Sequence, residues 1–373
     1  MIEIKEVKTF KQKREFLNFP LKLYKGNPYY VPPLYGDEKK IFRKDYLYYD
    51  QSEAVYFNAY KDGKMVGRIS GILQKAANEK WKQKRVRFTR WDTIDDLEVS
   101  KALFHAVEDW GKAKGMEEVV GPLGFSDMER EGLLIEGFNE LSTYEETYTY
   151  DYYPKHIDAL GYKKEVDWTE RKLFAPKVID PRIKKISELM LKRFKLHLAE
   201  INSTDEFLKV YGRQFFEIVD KTYNEIYQTV PFTERQIKSL IKAFRLVIDK
   251  KRVPMILDEN NRVVAFGLGF PSISKAIQKS SGHLTPLCLF RLLKSIKHPE
   301  ILDFGLIGVL PEYKNTGIDW AILCHALDYL VNGEVSYAET NLNLENNLAI
   351  QNTWSRFDSV IHKRRRSYVK KIS

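Results

Sequence analysis

Polar and apolar residues alternate from Met1 to Lys5, and apolar residues then recur at Phe16, Leu17, Phe19 and Leu23. This pattern predicts a first strand and a helix over Phe10–Tyr24. Prolines confine Asn27–Pro33 to extended backbone. Ala54–Tyr60 and Met65–Ile72 flank Asp62-Gly63, a pair suited to a type I′ turn, and predict a hairpin. Arg85–Trp91 reads as a strand. Asp95 or Asp96 then caps a helix carrying Leu97, Leu103, Phe104, Val107 and Trp110, and Gly115 stops it. A short strand over Glu117–Val120, a helix near Tyr153–Leu160 and a strand over Tyr162–Leu173 complete the first half.

The second half repeats this order. Val253–Leu257 and Val263–Phe270 flank Asn260-Asn261, and Ile301–Leu310 is a long strand. A helix over Asp319–Leu330, a strand over Glu334–Thr340, a helix over Asn346–Phe357 and a strand over Val360–Tyr368 follow. Asp62-Gly63 and Asn260-Asn261 hold matching places, as do Leu160-Gly161 and Phe357-Asp358. His105-Ala106 matches His325-Ala326 only if the second copy carries an insertion ahead of its central helix, which a similar insertion in the first copy then offsets. The matching order points to duplication of one α/β unit, divided into residues 1–178 and 179–373 near Pro176 and Pro181.

Composition narrows the classes. With 373 residues, 43% of them hydrophobic, the chain can bury two cores, and it carries no low-complexity tract. Cys288 and Cys324 are far apart, and the seven histidines are scattered, so neither a disulfide framework nor a metal site is expected. The N-terminus lacks a signal-peptide core, and no apolar run reaches the roughly 18 residues of a membrane span. A cytoplasmic protein, with peripheral attachment to the inner membrane as the variant, is the expectation. The formal net charge of +10 favours an anionic partner: nucleotide phosphate, nucleic acid or acidic lipid.

The chemistry concentrates at Ile307-Gly308-Val309-Leu310-Pro311-Glu312-Tyr313-Lys314-Asn315-Thr316-Gly317-Ile318-Asp319. A buried strand runs through a proline into a short loop with one glycine and then into a helix. Such a helix start presents unpaired amides, which can hold an anion. The run resembles the GNAT (GCN5-related N-acetyltransferase) signature, whose loop grips the pyrophosphate of coenzyme A. The resemblance implies two tandem GNAT-like domains, each a mixed, mostly antiparallel twisted sheet flanked by helices. It also implies that Val309, Leu310, Lys314, Asn315, Thr316, Gly317 and Ile318 bind the donor, acetyl-CoA or a longer acyl-CoA. Lys314 stands where the family has Arg or Gln. Asp319 replaces a final Gly or Ala, and its carboxylate would repel pyrophosphate unless it points away.

In the family an Asn a few residues before a helical Ala helps bind the cofactor, and Asn346-x-x-Ala349 fits, with a plain helix N-cap as the other reading of Asn346. The family tyrosine that protonates the leaving thiolate would fall near Thr353 or Trp354; Tyr368, Tyr337 or Tyr313 could stand in for it. Glu339, at the end of the fifth strand, is the candidate base, and Glu345 the second. The first half has Asp92–Asp96 in place of a glycine loop and is expected to shape the acceptor site.

The whole chain is similar to a group of bacterial double-GNAT-like proteins. The similarity rests on Leu23-Tyr24, Val31-Pro32-Pro33, Val66-Gly67-Arg68-Ile69, Gly121-Pro122, Gly132-Leu133-Leu134, Gly137-Phe138, Tyr152-Tyr153 and Lys363-Arg364-Arg365-Arg366-Ser367-Tyr368. Some members resemble bacterial ceramide synthases, which acylate a long-chain amine. Ser274–His298 places Leu284, Leu287, Phe290, Leu293 and Ile296 at helical spacing among basic residues, as in a helix that lies on anionic lipid, covers an acyl channel or packs on its own domain. The five tyrosines of Tyr144–Tyr153 either line an acceptor cleft or pack among themselves. The expected function is transfer of an acyl group from acyl-CoA to an amine, long-chain or lipid-like. An inactive GNAT-fold binding protein and a Fem-like aminoacyl-tRNA-dependent transferase are the alternatives; for nucleic acid the positive charge is the only support.

Overall fold

The computed structural model describes residues 1–244, 252–314, 316–332 and 335–372. In the first half, β1 (Ile2–Glu6), β2 (Ser52–Lys61), β3 (Lys64–Gln74), β4 (Arg85–Thr93) and β5 (Glu118–Gly121) lie side by side in chain order. The β2–β3 turn has Asp62 at φ 50° and Gly63 at φ 76°, the left-handed pair that a type I′ turn demands. Strands β4 and β5 are parallel and joined by the crossover helix Leu97–Ala113. Asp96 caps that helix, accepting a hydrogen bond from the Glu98 amide at 3.0 Å. Its stripe of Val99, Leu103, Phe104 and Val107 packs with Val86 and Phe88 in the first-half core.

After β6 (Leu133–Glu136) and β7 (Lys163–Phe174), the second half builds β8 (His197–Leu198), β9 (Met255–Leu257), β10 (Val263–Pro271), β11 (Ile301–Val309) and β12 (Tyr337–Thr340). Strands β11 and β12 are again parallel, joined through the helix Asp319–Asn332. Among the described residues, four helices lie between β7 and β9, Pro181–Arg193, Thr204–Val210, Gly212–Tyr223 and Glu234–Phe244, none of which the sequence pattern predicts. Strand β12 starts at Tyr337, three residues later than expected, and Glu334 lies outside the described residues.

The two short strands and the last one decide how the halves join. β13 (Asn343–Leu344) pairs with β7, β6 pairs with β14 (Asp358–Lys371), and the sheet order through the middle is β5-β14-β7-β12. The closing strand of each half therefore lies against the other half: β14 beside β5, β7 beside β12. Packing follows the exchange. Leu173 of β7 is buried with Leu302, Leu323 and Ala338, whereas Tyr368 and Ile372 near the C-terminus are buried in the first-half core. The result is one continuous sheet with two splayed parallel pairs, the architecture of two tandem GNAT-like units.

The insertion after β10 forms two helices, Ser274–Gln278 and Pro286–Lys297, and not the single helix that its spacing predicts. Ser281 and Gly282 break it with left-handed backbone at φ 49° and 76°. It is anchored to the proline-rich segment of the first half. Val31 packs with Ile273, Ile277 and Cys288, and the Tyr35 amide donates to the Gly282 carbonyl at 2.9 Å.

Candidate functional site

Strands β11 and β12 pair only from Ile301↔Tyr337 to Phe304↔Thr340, then diverge. Beyond Phe304, β11 continues to Val309 with no strand paired on that edge among the described residues, and the hydroxyl of Tyr223 enters the gap. It donates to the Ile307 carbonyl at 3.1 Å and accepts from the Ile307 amide at 3.2 Å. Burial pushes the Tyr223 hydroxyl up to about 12. At the end of β11 the chain turns through Pro311–Tyr313 to Gly317, at φ 88°, and enters the helix Asp319–Asn332. Among the described residues, the amides of Gly317 and Ile318 have no hydrogen-bond partner. They are the unpaired donors that an anion at a helix start requires.

Asp319 is balanced in place. Its carboxylate lies 3.3 Å from the Arg356 guanidinium, which in turn stacks 4.1 Å over the Trp320 ring. Lys314 and Arg356 thus place two cations at this mouth against one acid, and the repulsion expected from Asp319 is offset by a residue 37 positions away.

Gap and loop open into one cavity of about 1290 Å³, larger than the roughly 300–1,000 Å³ of an ordinary small-molecule pocket. Val309, Lys314 and Gly317 line it, Leu310 and Ile318 are core residues, and the Thr316 hydroxyl donates to the Tyr313 carbonyl at 2.6 Å. Asn315 lies outside the described residues. Asn346 is exposed in a turn. The neighbouring Asn347 caps the helix Leu348–Trp354, accepting from the Ile350 amide at 3.3 Å, and it lines the cavity.

The candidate catalytic pair is separated. Glu339 alternates with Ala338 and Thr340 along β12; Thr340 lines the cavity, so Glu339 faces the other side of the sheet. There it is buried opposite Asp303 of β11 and 3.5 Å from Lys363. Burial raises both the Glu339 and the Asp303 carboxyl, each further raised by a neighbouring carboxylate. Tyr368 pairs with Gly121 in the first-half core, because β14 crosses over. Glu345 is held by Lys164 at 2.7 Å on the surface. Of the stand-in tyrosines, Tyr313 lines the cavity, and Lys172 lies over the Tyr337 ring.

At its far end the cavity meets the first half, and there it is acidic. Asp127, Glu131, Glu145 and Glu146 line it. Burial lifts Glu131 to about 8, and raises Asp127 and Glu145 as well. Glu146 is 2% exposed, and its Oε2 makes no hydrogen bond. The hydroxyl of Tyr227, another lining residue, is also buried without a hydrogen-bond partner. Of the five tyrosines at 144–153, Tyr144 lines the cavity, while Tyr150, Tyr152 and Tyr153 stack in sequence with ring centroids 5.6 and 4.8 Å apart, and Tyr148 meets Tyr150 edge to face at 6.0 Å. No motif marks Glu131, Tyr223 or Arg356 in the chain; folding alone assembles them. Among the described residues no group of three His, Cys, Asp or Glu side chains is placed to hold a metal ion.

No family model matches the chain. Protein YghO of Escherichia coli (strain K12) is 27% identical over 379 residues, which cover 98% of this chain and 95% of that protein. Bacterial ceramide synthase of Caulobacter vibrioides is 27% identical over 322 residues, covering 83% and 81%. Among solved structures, a tandem GNAT protein from the clavulanic acid biosynthesis pathway matches 100% of this chain and 99% of its own at a TM-score of 0.55 and 10% identity. The GCN5-related glucosamine N-acetyltransferase region of a fungal GH3 β-N-acetylglucosaminidase gives 0.56 and 12%, over 99% of this chain and 38% of that one. At such identities the structural likeness speaks to the fold alone. The chain is a tandem GNAT-fold protein, similar over most of its length to these two bacterial proteins.

Proposed function

We propose that the protein is an acyl-CoA-dependent N-acyltransferase whose acceptor is an amine with a lipid-like apolar part. The single observation that carries this reading is the continuity of the cavity. It joins a phosphate-suited loop at Gly317, a strand gap at Phe304–Gly305 and a carboxyl-lined end at Asp127 and Glu131. The loop amides, Lys314 and Arg356 would hold the donor phosphates. The gap would take the thioester, and the acidic end would draw in a cationic amine. Bacterial ceramide synthase, one of the relatives, is in keeping with a long-chain acceptor. Such an acceptor would be met at a membrane surface.

In this reading the amine nitrogen attacks the thioester carbonyl carbon, a C–N bond forms and the C–S bond breaks. The ammonium proton passes to a carboxylate at the acidic end, and the sulfur leaves as a free thiol after gaining a proton. Positioning of the two reactants in the gap supplies most of the rate. Glu131 suits the proton transfer because its ordinary carboxyl has been lifted to about 8. The rate at limiting amine should rise with pH through that region as Glu131 ionises. Glu131→Gln should flatten the limb and, at pH above that region where Glu131 is ionised, raise the amine KM by about tenfold, as expected for a lost charged contact. A limb unchanged in the variant would assign the base elsewhere.

The test of the reading itself is calorimetric titration of the purified protein with acetyl-CoA and with a long-chain acyl-CoA, followed by an assay for free thiol in the presence of long-chain amines. Binding with amine-dependent thiol release supports it. Absence of binding at high micromolar donor overturns it, and binding with no thiol release leaves a ligand-binding protein.

A further inference from the structure

The helix Pro286–Lys297 buries little of its own apolar surface. Cys288 alone is fully buried, while Leu287, Leu289, Phe290 and Leu293 are 56%, 54%, 65% and 58% exposed, and the preceding Leu284 is 63% exposed. Helical spacing sets Phe290 and Leu293 on the side opposite Cys288, with Leu287 and Leu289 on its two flanks. This face is no frayed segment. The helix starts from Thr285, which accepts from the Cys288 amide, and its inner side is clamped to Val31, Ile273 and Ile277.

Five large apolar side chains within ten residues form a patch that an isolated soluble monomer rarely leaves in water. The charge around it has one sign. From Ser274 to His298 there are five Lys and Arg (Lys275, Lys279, Arg291, Lys294, Lys297) and no Asp or Glu. Only Lys275 among these has an ion-pair partner among the described residues, Glu300 at 2.8 Å. Lys294 and Lys297 share the exposed face with the leucines, one turn further along. An apolar stripe bordered by unneutralised cations is the profile of a helix lying in the headgroup region of an anionic bilayer. Among the described residues no helix is long and apolar enough to cross a membrane, so contact by this helix would be at the surface.

The patch also adjoins the cavity. Leu284, at its edge, lines the cavity together with Ile273, Leu302 and Phe304. We infer that the Leu284–Lys297 face docks on an anionic lipid surface and sets the cavity mouth against the bilayer, so that an apolar substrate enters without crossing water. The docking stands on the surface alone; the delivery of substrate rests on the acyltransferase reading above.

The experiment is sedimentation of the full-length protein with vesicles of phosphatidylcholine alone and of equal phosphatidylcholine and phosphatidylglycerol. Wild type, Leu287→Glu/Phe290→Glu/Leu293→Glu and Lys294→Glu/Lys297→Glu are compared, each first checked for unchanged thermal stability. Wild type should bind the anionic vesicles, with each variant bound about tenfold less or weaker still, and should bind phosphatidylcholine poorly. Acetyl-CoA titration without vesicles should be the same for all three, which separates failure of docking from failure of the acyltransferase reading. Equal sedimentation of wild type and the apolar variant would overturn the inference. So would a wild-type dimer in solution that the apolar variant converts to monomer, since the face would then meet a second copy.

Discussion

With Trp in place of Gly317, the affinity for acetyl-CoA and for long-chain acyl-CoA should fall by about a hundredfold or more. Gly317 lines the cavity at φ 88°, and a Cβ there would sit 3.4 Å from Met190 Cγ and 3.5 Å from Trp320 Cδ1. The Cβ itself fits, but an indole attached to it would occupy the space before the Gly317 and Ile318 amides. Two charge-assisted hydrogen bonds at about 1.5 kcal/mol each amount to about 3 kcal/mol, which is the stated factor. A non-glycine residue in left-handed backbone also costs about 1–2 kcal/mol of stability. Gly317→Ala is therefore the control: it carries the backbone strain without the bulk, and should lose the same stability while keeping most of the affinity. Calorimetry and thermal melts read both. If the Trp variant bound like wild type, the donor phosphates would lie elsewhere in the cavity.

The second large effect is on stability, where the exchanged strands cross. Glu170 of β7 is fully buried between two fully buried cations of β14, 2.6 Å from Arg365 and 2.9 Å from Lys363. Arg365 also donates to the Thr147 carbonyl, and Glu339 lies 3.5 Å from Lys363. Removing the shared carboxylate leaves two buried charges short of a partner, so Glu170→Ala should cost about 3–5 kcal/mol in urea unfolding. Burial opposes the Glu170 charge, but Arg365 and Lys363 prevail and hold its carboxyl down at about 2. A carboxyl depressed on folding adds stability above its unfolded value, and that stability is lost as pH falls from about 4.5 towards 2. His362 acts in the same direction. Burial and the adjacent Lys363 keep it neutral down to about 3, so its contribution fades as pH falls below its unfolded value of 6.5. Glu170→Gln should lose the lower part of this acid limb and His362→Gln the upper part. A Glu170→Ala variant within about 1 kcal/mol of wild type would mean that the cations find other partners.

The exchange of closing strands explains which parts of this protein could be read from its chain and which could not. Features set within one turn or one helix were legible. Asp62-Gly63 makes the first hairpin, Asp96 caps the helix Leu97–Ala113, and Gly317 enters the helix Asp319–Asn332 in left-handed backbone. Each depends on backbone sterics and on hydrogen bonds between near neighbours, which the local sequence dictates. The repeat was legible for the same reason, since each copy carries its own periodicity. Even locally the margin is one residue: Asn347, not Asn346, caps Leu348–Trp354, and either amide side chain suits a cap by its chemistry.

What lies between elements was not legible. Nothing near Tyr368 says that β14 will pair with Gly121 of the first half, and this pairing takes that tyrosine into the first-half core. The alternation of β12 shows that Glu339 and Thr340 face opposite sides, but the side that meets the cavity depends on which strands flank β12. Arg356 balances Asp319, and Glu131 shares a cavity with Lys314, only because distant segments converge. By itself the sequence determined the hairpins, the two crossover helices and their duplicated order, the loop at Gly317 and the basic, apolar character of the insertion. Tertiary structure decided the exchange of strands, the acidic end of the cavity and the open face of the Pro286–Lys297 helix. The physical reason is that strand pairing and burial are settled by contacts across the whole chain, which no local pattern encodes.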